Sequence, residues 1–598
     1  MSHASTTWSA RRWSPLDILL AVLVPAVLVA AMYLFPFVRD PHQLPFGADT
    51  YGYMWRSELV RAEGIGALTV EGTGHRKSLG ERPAYPIVFN LLRSITGASS
   101  LELMWALPAA IAATIAIAAV GLATDAADDR RWTAGLLGVG VAGSAFVTQT
   151  AVGYGTNLMF DVIALSVAVL AIRTATASGV HGWAGAGALL GAGALLHWLF
   201  AALFALLLLA FAALVAVGRV SRSETARPQP GSAVRIAAIV GIAIVLAAAA
   251  FLFAPEYAGR LPGLGGGGGG TQRRLPHFDL AITLPAAAVG AGIILLGRGA
   301  RRWSLGMLIP WAGLAVVGLV GWFWLDLPTR PYRFAGFALG IPILIVLGAS
   351  SLDRVHPGPV VRAAAIVITA AAVAGLAAGG IQSWWQRSAR HGPELFSQLG
   401  IVARYAERLP REPLLVLPYR GPPIPPLSPV RAGLPVLLYR RVVLVRSIAQ
   451  APIGPDGSRV IIHLEAINRR PADDGTLLGP GVTLLEGPVL PVPPVAPPRA
   501  PGPADLAFMV TMTLVSLIGS GSGWAVGFTD LSWVGAVSAS PAFGLAALGL
   551  FGTMASRLGV PLRGGSALVM IAVTMAAGWG VALALRWRCR RRPDGTGP

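Results

Sequence analysis

Cysteine, lysine and charged residues in general are scarce in this chain of 598 residues. Its single cysteine, Cys589, cannot form an intrachain disulfide, which excludes an outer domain stabilised by disulfide bonds. Charged residues make up 13% of the chain, whereas soluble globular proteins carry about 25%. With 54% hydrophobic residues and a mean hydropathy of +0.64, most of the chain must lie in lipid rather than in a soluble core.

Several motifs that would indicate other chemistry are also missing. The glycine run at residues 265–270 lacks the Gly-Lys-Ser/Thr ending of a nucleotide-phosphate loop, so we interpret it as a flexible linker. No serine-hydrolase elbow, zinc-type His/Cys cluster or dinucleotide fingerprint occurs in a convincing context. There is no internal repeat and no inverted pair of broken helices, which disfavours a transporter.

The excess of positive charge comes from arginine. The formal net charge is +19, and Lys77 is the only lysine. In a soluble protein this charge would suggest a nucleic-acid partner. Here the arginines lie mostly in short loops between apolar runs, where they indicate membrane topology, and we predict no nucleic-acid partner.

Apolar runs of about 20 residues, the length that crosses a bilayer, recur along the chain. They start near Leu16, Leu101, Thr133, Leu158, Trp183, Trp198, Ala233, Leu280, Ser304, Tyr332, Val360, Leu506, Leu531 and Ala567. The first run is too long for the ~7–15-residue core of a secretory signal, so we predict an uncleaved first helix. The predicted fold class is an α-helical polytopic membrane protein with about 14 transmembrane helices and a small extracytoplasmic α/β domain.

Arginine positions predict the orientation of the chain. The loops 125–131, 173–182, 218–235, 297–302 and 353–362 and the tail 586–592 all contain arginine. By the positive-inside rule they are cytoplasmic, as are both termini, and the catalytic face of this multi-pass cell-membrane protein is extracytoplasmic. One conflict remains, because Arg557 and Arg563 fall in a loop that the scheme places outside.

Three stretches are therefore predicted outside the cytoplasm: 38–100, 254–278 and 383–503. Within the third, residues 394–409 have helical periodicity, residues 413–417, 434–448, 460–464 and 482–485 have strand character, and 421–429 and 490–503 are proline-rich connectors. The predicted domains are a transmembrane core over 1–382 that includes the first external loop (38–100), an α/β domain over 383–504, and C-terminal helices with a basic cytoplasmic tail over 505–598.

The first loop holds the most informative segment, residues 45–59. Gly47 frees the backbone ahead of Asp49, and the residues that follow predict an amphipathic helix on the membrane surface. Three aromatic residues of the type found at headgroup boundaries come next: Tyr51, Tyr53 and Trp55. A carboxylate there can accept a proton from a sugar hydroxyl or hold a divalent cation such as Mg²⁺ or Mn²⁺. Aspartate is also a favoured helix amino-cap, and both interpretations stand.

An acid directly after the first span, a long loop with a surface helix, and a later Tyr85-Pro86 pair resemble the GT-C superfamily of integral-membrane glycosyltransferases. These enzymes use lipid-linked sugar donors, often polyprenyl-phosphate sugars, and act outside the cytoplasmic leaflet. The resemblance covers mainly the first loop and the order of spans with a late external domain. Many members have paired acids at this point, whereas Thr50 follows Asp49, which leaves the metal requirement open.

The resemblance implies an inverting transfer of a sugar from a polyprenyl-phosphate donor to an extracytoplasmic glycan, lipid or protein acceptor. Asp49 would act as general base on the acceptor hydroxyl or as a metal ligand. For the departing lipid phosphate we predict Arg333 and Arg330, since a guanidinium fork suits phosphate oxygens, with Tyr332 lining a lipid groove. The alternative for either arginine is snorkelling at the interface.

Further candidates lie in other outer segments. His197 interrupts an apolar stretch at the predicted outer surface, and we assign it to donor binding, with a merely interfacial position as the alternative. The possible acceptor or loop contacts are Tyr51, Tyr53, Glu58, His75, Lys77, Arg82 and Asp161. The basic members of this set could meet phosphate or form a solvated face. Two non-enzymatic hypotheses also remain: a transporter or flippase of a lipid-linked or polysaccharide substrate, and a scaffold for envelope assembly.

Overall fold

The first transmembrane helix contains a local irregularity that its sequence explains. In the computed structural model of the protein, α1 (Pro15–Ile18) passes through a π-helical turn at Leu19–Leu23 into α2 (Val24–Arg39). Pro25 has no N–H with which to continue the α-helical ladder, and the wider turn falls just before it. The predicted first span is therefore confirmed as one apolar unit with a local distortion.

The structure describes residues 14–41, 48–66, 83–125, 131–151, 155–176, 181–217, 231–253, 280–297, 301–324, 337–388, 393–409, 414–418, 442–445, 448–450, 452–453, 459–468, 470–490, 501–529, 531 and 533–590. Helices dominate this part of the chain. In the amino-terminal half they are α3 (Ala48–Glu63), α4 (Ala84–Thr96), α5 (Ser100–Asp125), α6 (Arg131–Ala142), α7 (Ala145–Ala151), α8 (Gly155–Thr176), α9 (Gly182–Ala216), α10 (Ser232–Phe253) and α11 (Leu280–Leu296). They continue as α12 (Arg301–Trp324), α13 (Gly340–Ala349), α14 (Leu352–Val355), α15 (Pro359–Ser388), α16 (Pro393–Glu407), α17 (Glu465–Asn468), α18 (Pro503–Phe528), α19 (Trp533–Arg557) and α20 (Gly564–Arg590).

The predicted polytopic architecture is confirmed. In the described ranges, nine helices are long and apolar enough to cross a membrane, and four shorter apolar helices accompany them. Every apolar run predicted from the sequence contains one of these helices. The run predicted to start at Tyr332 is described only from Phe337 onward, and its helix is α13.

The predicted division of the 183–217 stretch is visible as a kink in α9. His197 has the extended backbone angles φ −157° and ψ 86° inside an otherwise helical segment. On the amino-terminal side of this kink, Gly187 packs against Ile242 and Gly191 packs against Leu246 of α10. The numerical offset is the same for both pairs, so 182–196 and α10 run in parallel. The chain must therefore reverse between them, and 198–216 is the helical segment that can carry it back.

Two contacts establish which ends of the helices share a side of the membrane. The backbone N–H of Ile65, just after α3, donates a hydrogen bond to Oγ of Ser556 near the end of α19, at 3.1 Å. Near the other end of the bundle, Gly121 of α5 packs against Ser538, close to the start of α19. The loop after α19, which contains Arg563, therefore lies on the same side of the bundle as the first loop. The topology scheme also places these two loops on one side, although the loop after α19 contains arginine.

A small α/β unit follows α15, as predicted. Its five-stranded sheet has the order β2-β1-β3-β5-β4, with β1 (Leu414–Pro418), β2 (Val442–Val445), β3 (Arg459–Leu464), β4 (Thr476–Gly479) and β5 (Val482–Glu486). β1 pairs in parallel with β2 and β3, whereas β5 runs antiparallel to β3 and β4. The short strand β4 was not predicted, because its four residues lie between turn residues and are too few to show alternation.

Candidate functional site

The first-loop helix α3 packs against the rest of the protein and buries several of its side chains. Tyr53 and Met54 are 2% and 0% exposed. Tyr53 and Met54 are therefore packed inside the protein, and the predicted headgroup-level position of Tyr53 stays a prediction. α3 begins at Ala48, so Asp49 is its second residue and belongs to the first turn rather than to the cap position. Only the backbone of Asp49 lies within the described structure.

Tyr53 joins α3 to the amino-terminal end of α8. Its hydroxyl lies 3.0 Å from Oγ1 of Thr156, which in turn lies 3.3 Å from Oδ1 of Asn157. Tyr53 follows Asp49 by four positions, and residues at this spacing share one face of a helix. The α3 face that carries Asp49 is thus the face that meets the start of α8.

Asp161 lies one helical turn farther along α8 than Asn157. It is 0% exposed, and neither carboxylate oxygen has a hydrogen-bond partner among the residues that the structure describes. Tyr33 of α2 lies within electrostatic range of Asp161, but its hydroxyl donates to the carbonyl of Ala142 at 3.0 Å. A buried, unsatisfied carboxylate costs several kcal/mol, which proteins accept mainly at functional sites.

A small cleft lies beside these residues, with a cavity volume of about 20 Å³, which is room for roughly one water molecule. The residues that line it come from seven helices and are Phe37, Thr50, Tyr85, Met104, Leu107, Pro108, Ile111, Ala151, Gly155, Leu158, Met159 and Trp384. Thr50 follows Asp49 directly, and Leu158 precedes Asp161 on the same face of α8. The cleft therefore lies between the two elements that carry the candidate acids.

Tyr85, from the Tyr-Pro pair of the first loop, forms one wall of this cleft. Its ring lies 4.6 Å from that of Tyr53, and the guanidinium of Arg56 lies 5.5 Å above the Tyr53 ring. Burial raises the pKa of the Tyr85 phenol, and Tyr53 adds to this shift while Arg56 opposes it. A Cβ at Gly155 would come within 2.8 Å of the Tyr85 ring, so glycine is required for this close approach.

Trp384, near the end of α15, also lines the cleft. Its indole N–H donates to the carbonyl of Tyr33 at 3.1 Å, and the two rings lie 5.0 Å apart. The neighbouring Trp385 receives the guanidinium of Arg39 at 4.6 Å from its ring centroid. Neither tryptophan nor Thr156 was a candidate in the sequence, because nothing local distinguishes these residues and tertiary folding brings them to the cleft from distant segments.

Glu58 has a different environment from the one expected. It pairs with Arg93 of α4, accepts a hydrogen bond from Ser100 at the start of α5, and is 5% exposed. A possible contact of Glu58 with an acceptor is therefore not supported, because its carboxylate is engaged inside the protein.

His197 is also enclosed, at 3% exposure, rather than interfacial. Its Nδ1 accepts a hydrogen bond from the backbone N–H of Phe200 at 3.3 Å, and the two rings stack at 4.0 Å. Phe200 lies 5.9 Å from the ring of Phe160, the neighbour of Asp161. The structure thus packs His197 into an aromatic cluster that includes Phe160, the residue before Asp161 in α8.

The first described residue after the predicted phosphate-binding segment is Phe337, and it packs against the same aromatic cluster. The ring of Phe337 lies 5.2 Å from Phe200, and Arg333 precedes Phe337 by four positions. Arg330, Tyr332 and Arg333 themselves lie outside the described residues, as do His75, Lys77 and Arg82 and the side chain of Tyr51. Their assignments stay predictions.

A divalent metal ion would need several acidic side chains close together. Within the described ranges, no three His, Cys, Asp or Glu side chains are grouped closely enough to hold a metal ion. The free oxygens of Asp161 suit a hard cation such as Mg²⁺ or Mn²⁺, and the Asp49 carboxylate would have to complete the set.

No protein-family model and no curated protein matches this chain. One similar solved structure is the oligosaccharyltransferase of Archaeoglobus fulgidus tethered by a disulfide to an acceptor peptide containing the NVT sequon, with 13% identity and a TM-score of 0.45 over 71% of this chain and 64% of that one. Another is the same enzyme in complex with zinc and sulfate, with 13% identity and a TM-score of 0.44 over 74% of this chain and 67% of that one. This chain thus spans less than two thirds of the first of these structures, and its site residues are assigned from its own contacts.

Proposed function

We propose that this protein is a GT-C-type glycosyltransferase that moves a sugar from a lipid-linked, polyprenyl-phosphate donor to an extracytoplasmic glycan, lipid or protein acceptor. The observation that carries the proposal is the buried Asp161 carboxylate without a described hydrogen-bond partner. Asp161 belongs to α8, whose residues Gly155, Leu158 and Met159 line the cleft and whose Thr156 contacts Tyr53 of α3, the helix of Asp49.

The proposed roles follow from these positions. Asp49 accepts the proton of the acceptor hydroxyl as its oxygen attacks the anomeric carbon, and the bond from that carbon to the lipid phosphate breaks with inversion. Asp161 orients the acceptor or, with Asp49, holds a divalent cation that would offset the charge of the departing phosphate. The amino-terminal end of α8, which reaches the cleft at Gly155, presents the positive end of its dipole to the same phosphate.

The predicted lipid-phosphate ligands complete this scheme. Arg333, with Arg330 as the next candidate, binds the phosphate oxygens, and Tyr332 lines the groove for the prenyl chain. His197 supports this region from inside the aromatic cluster, because its ring and Phe337 both pack against Phe200. We place this face of the protein outside the cytoplasm, with both termini in the cytoplasm.

The test is transfer by the purified protein from a panel of radiolabelled polyprenyl-phosphate sugars, assayed with and without EDTA. We expect at least one donor to be consumed with release of polyprenyl phosphate, and Asp161→Asn and Asp49→Asn to abolish that release. Asp353→Asn is the matched control, because Asp353 is also buried, at 7% exposure, but lies in a loop predicted to be cytoplasmic. Failure of every donor, in the presence of a membrane-lipid extract as acceptor, would overturn the proposal.

A proton-coupled transporter or flippase is the second candidate, since a buried carboxylate within a span can carry protons. Reconstituted vesicles distinguish the two. Movement of a fluorescent polyprenyl-phosphate sugar across the bilayer, abolished by Asp161→Asn and without release of polyprenyl phosphate, would establish transport instead.

A further inference from the structure

Glu58 lies at a junction of three helices away from the cleft. Its Oε1 is the partner of Arg93 Nη1 on α4 and of Ser100 Oγ on α5. The side chains of Arg93 and Glu58 are 12% and 6% exposed, so water screens their interaction little. We call Glu58, Arg93 and Ser100 the latch.

Arg93 makes further hydrogen bonds that fix the geometry of the latch. Besides Glu58, its Nη1 donates to Ser100 Oγ at 2.9 Å, and its Nε donates to the carbonyl of Ala98 in the turn between α4 and α5, at 3.0 Å. These bonds use the planar guanidinium on two edges and fix its orientation. One turn earlier on α4, Asn90 donates to the carbonyl of Ser57 at 2.7 Å.

α3 is therefore held in both of its halves. Tyr53 bonds to α8 and so locates the amino-terminal half, and the latch locates the carboxy-terminal half against α4 and α5. Attachments in both halves of a helix restrict its tilt and its rotation about its own axis, and the Asn90–Ser57 bond acts together with the latch. Asp49 lies nine residues before Glu58, or roughly 13 Å along the axis, so a small rotation at the latch is carried to Asp49.

We infer that Glu58 is a positioning residue, which through Arg93 and Ser100 fixes the rotation of α3 and thereby the placement of Asp49 at the cleft. This inference rests on the proposed function for its effect on turnover, but not for its effect on the helix. Misplacement of a reacting group by about 1 Å can cost about 10²-fold in rate. Breaking the latch should accordingly lower kcat while KM for the donor changes little, because no latch residue lines the cleft.

The experiment first measures the helix itself, with no sugar present. Thr50 is 4% exposed and lines the cleft, so in a Cys589→Ser background the thiol of Thr50→Cys should react slowly with a maleimide. Adding Glu58→Gln, which keeps the shape but removes the charge, should raise the labelling rate about 10-fold or more, since α3 can then rotate. Glu102→Gln is the matched control, because within the described ranges the Glu102 carboxylate accepts a bond only from the nearby backbone N–H of Ser99, at 2.7 Å.

The second measurement is turnover in the same variants with native Thr50. We expect kcat to fall about 10- to 100-fold in Glu58→Gln with KM unchanged, and the charge-reversed pair Glu58→Arg with Arg93→Glu to recover part of the loss. Should Glu58→Gln fail to accumulate, Ser100→Ala removes one donor and keeps the ion pair, and should give a smaller rise in labelling.

The outcomes separate this inference from the proposed function. Faster labelling in a protein that transfers no sugar keeps the positioning of α3 by the latch and rejects glycosyl transfer. Unchanged labelling and unchanged kcat in Glu58→Gln, in a protein that does transfer sugar, overturns the latch. A lower kcat together with equal labelling and no recovery by charge reversal overturns it as well.

Discussion

The hydroxyl of Tyr53 lies 3.0 Å from Oγ1 of Thr156, and this contact joins the first loop to the fourth predicted span. Tyr53→Phe keeps the ring and removes the bond. We expect a loss of about 0.5–1.5 kcal/mol in stability and a fall in kcat, because α3 loses its hydrogen bond to α8. The measurement is turnover and melting temperature in detergent.

Tyr405→Phe serves as its control. Tyr405 in the α/β unit donates to the carbonyl of Pro488 at 2.7 Å, so the same hydroxyl is lost from a residue that does not line the cleft. We expect a similar loss of stability with normal turnover. Equal turnover in both variants would show that the Tyr53 contact has no part in the reaction.

Asp161→Asn should separate activity from stability. The carboxylate is wholly buried, and neither oxygen has a described partner, so removing its charge should leave the melting temperature unchanged or raise it. Turnover should fall about 10²- to 10⁴-fold if the carboxylate takes part in proton transfer. A loss of about 3–5 kcal/mol in stability would instead identify Asp161 as half of a structural ion pair.

Asp49 is tested by a pair of substitutions. Asp49→Asn keeps the size of the side chain and removes its charge and basic oxygen, so we expect about 10²- to 10⁴-fold lower turnover at a near-normal melting temperature. If Asp49 only stabilises the first turn of α3 through the helix dipole, Asp49→Asn and Asp49→Ala should each cost about 0.3–1 kcal/mol in stability and leave turnover near normal. Full activity of Asp49→Asn would remove it as the catalytic base.

Arg333 is predicted to bind the phosphate of the donor. Arg333→Ala should weaken donor binding about 10- to 150-fold, which corresponds to roughly 1.5–3 kcal/mol for a charge-assisted hydrogen bond. Arg333→Lys should also bind poorly, because a point charge does not replace a bidentate fork. Arg354→Ala, in a loop predicted to be cytoplasmic, is the control. Unchanged binding of a labelled donor to Arg333→Ala would move the phosphate site, with Arg330 next to be tested.

Topology can be measured by labelling single cysteines in intact cells with an impermeant maleimide, after Cys589→Ser. We expect labelling at Ser78→Cys and Ser458→Cys and none at Ser223→Cys. Leu558→Cys should be labelled as well, because the Ile65–Ser556 hydrogen bond places its loop beside the first loop and Leu558 is 82% exposed. Labelling of Ser223→Cys with silence at the other positions would invert the orientation.

The sequence by itself determined the membrane architecture, because the length and hydropathy of each span are local properties. The starts of the apolar helices, the division near His197 and the helix at Asp49 could all be predicted from short windows. The strand β4 was missed because four residues carry too little pattern.

Tertiary structure alone decided which side chains meet. Tyr53 and Glu58 belong to the same amphipathic helix, and nothing in its periodicity shows that one contacts Thr156 and the other Arg93. Such contacts join residues tens to hundreds of positions apart, and they depend on how neighbouring helices pack. The burial of Asp161, which turns an ordinary acid near a helix end into a candidate for catalysis, arises in the same way.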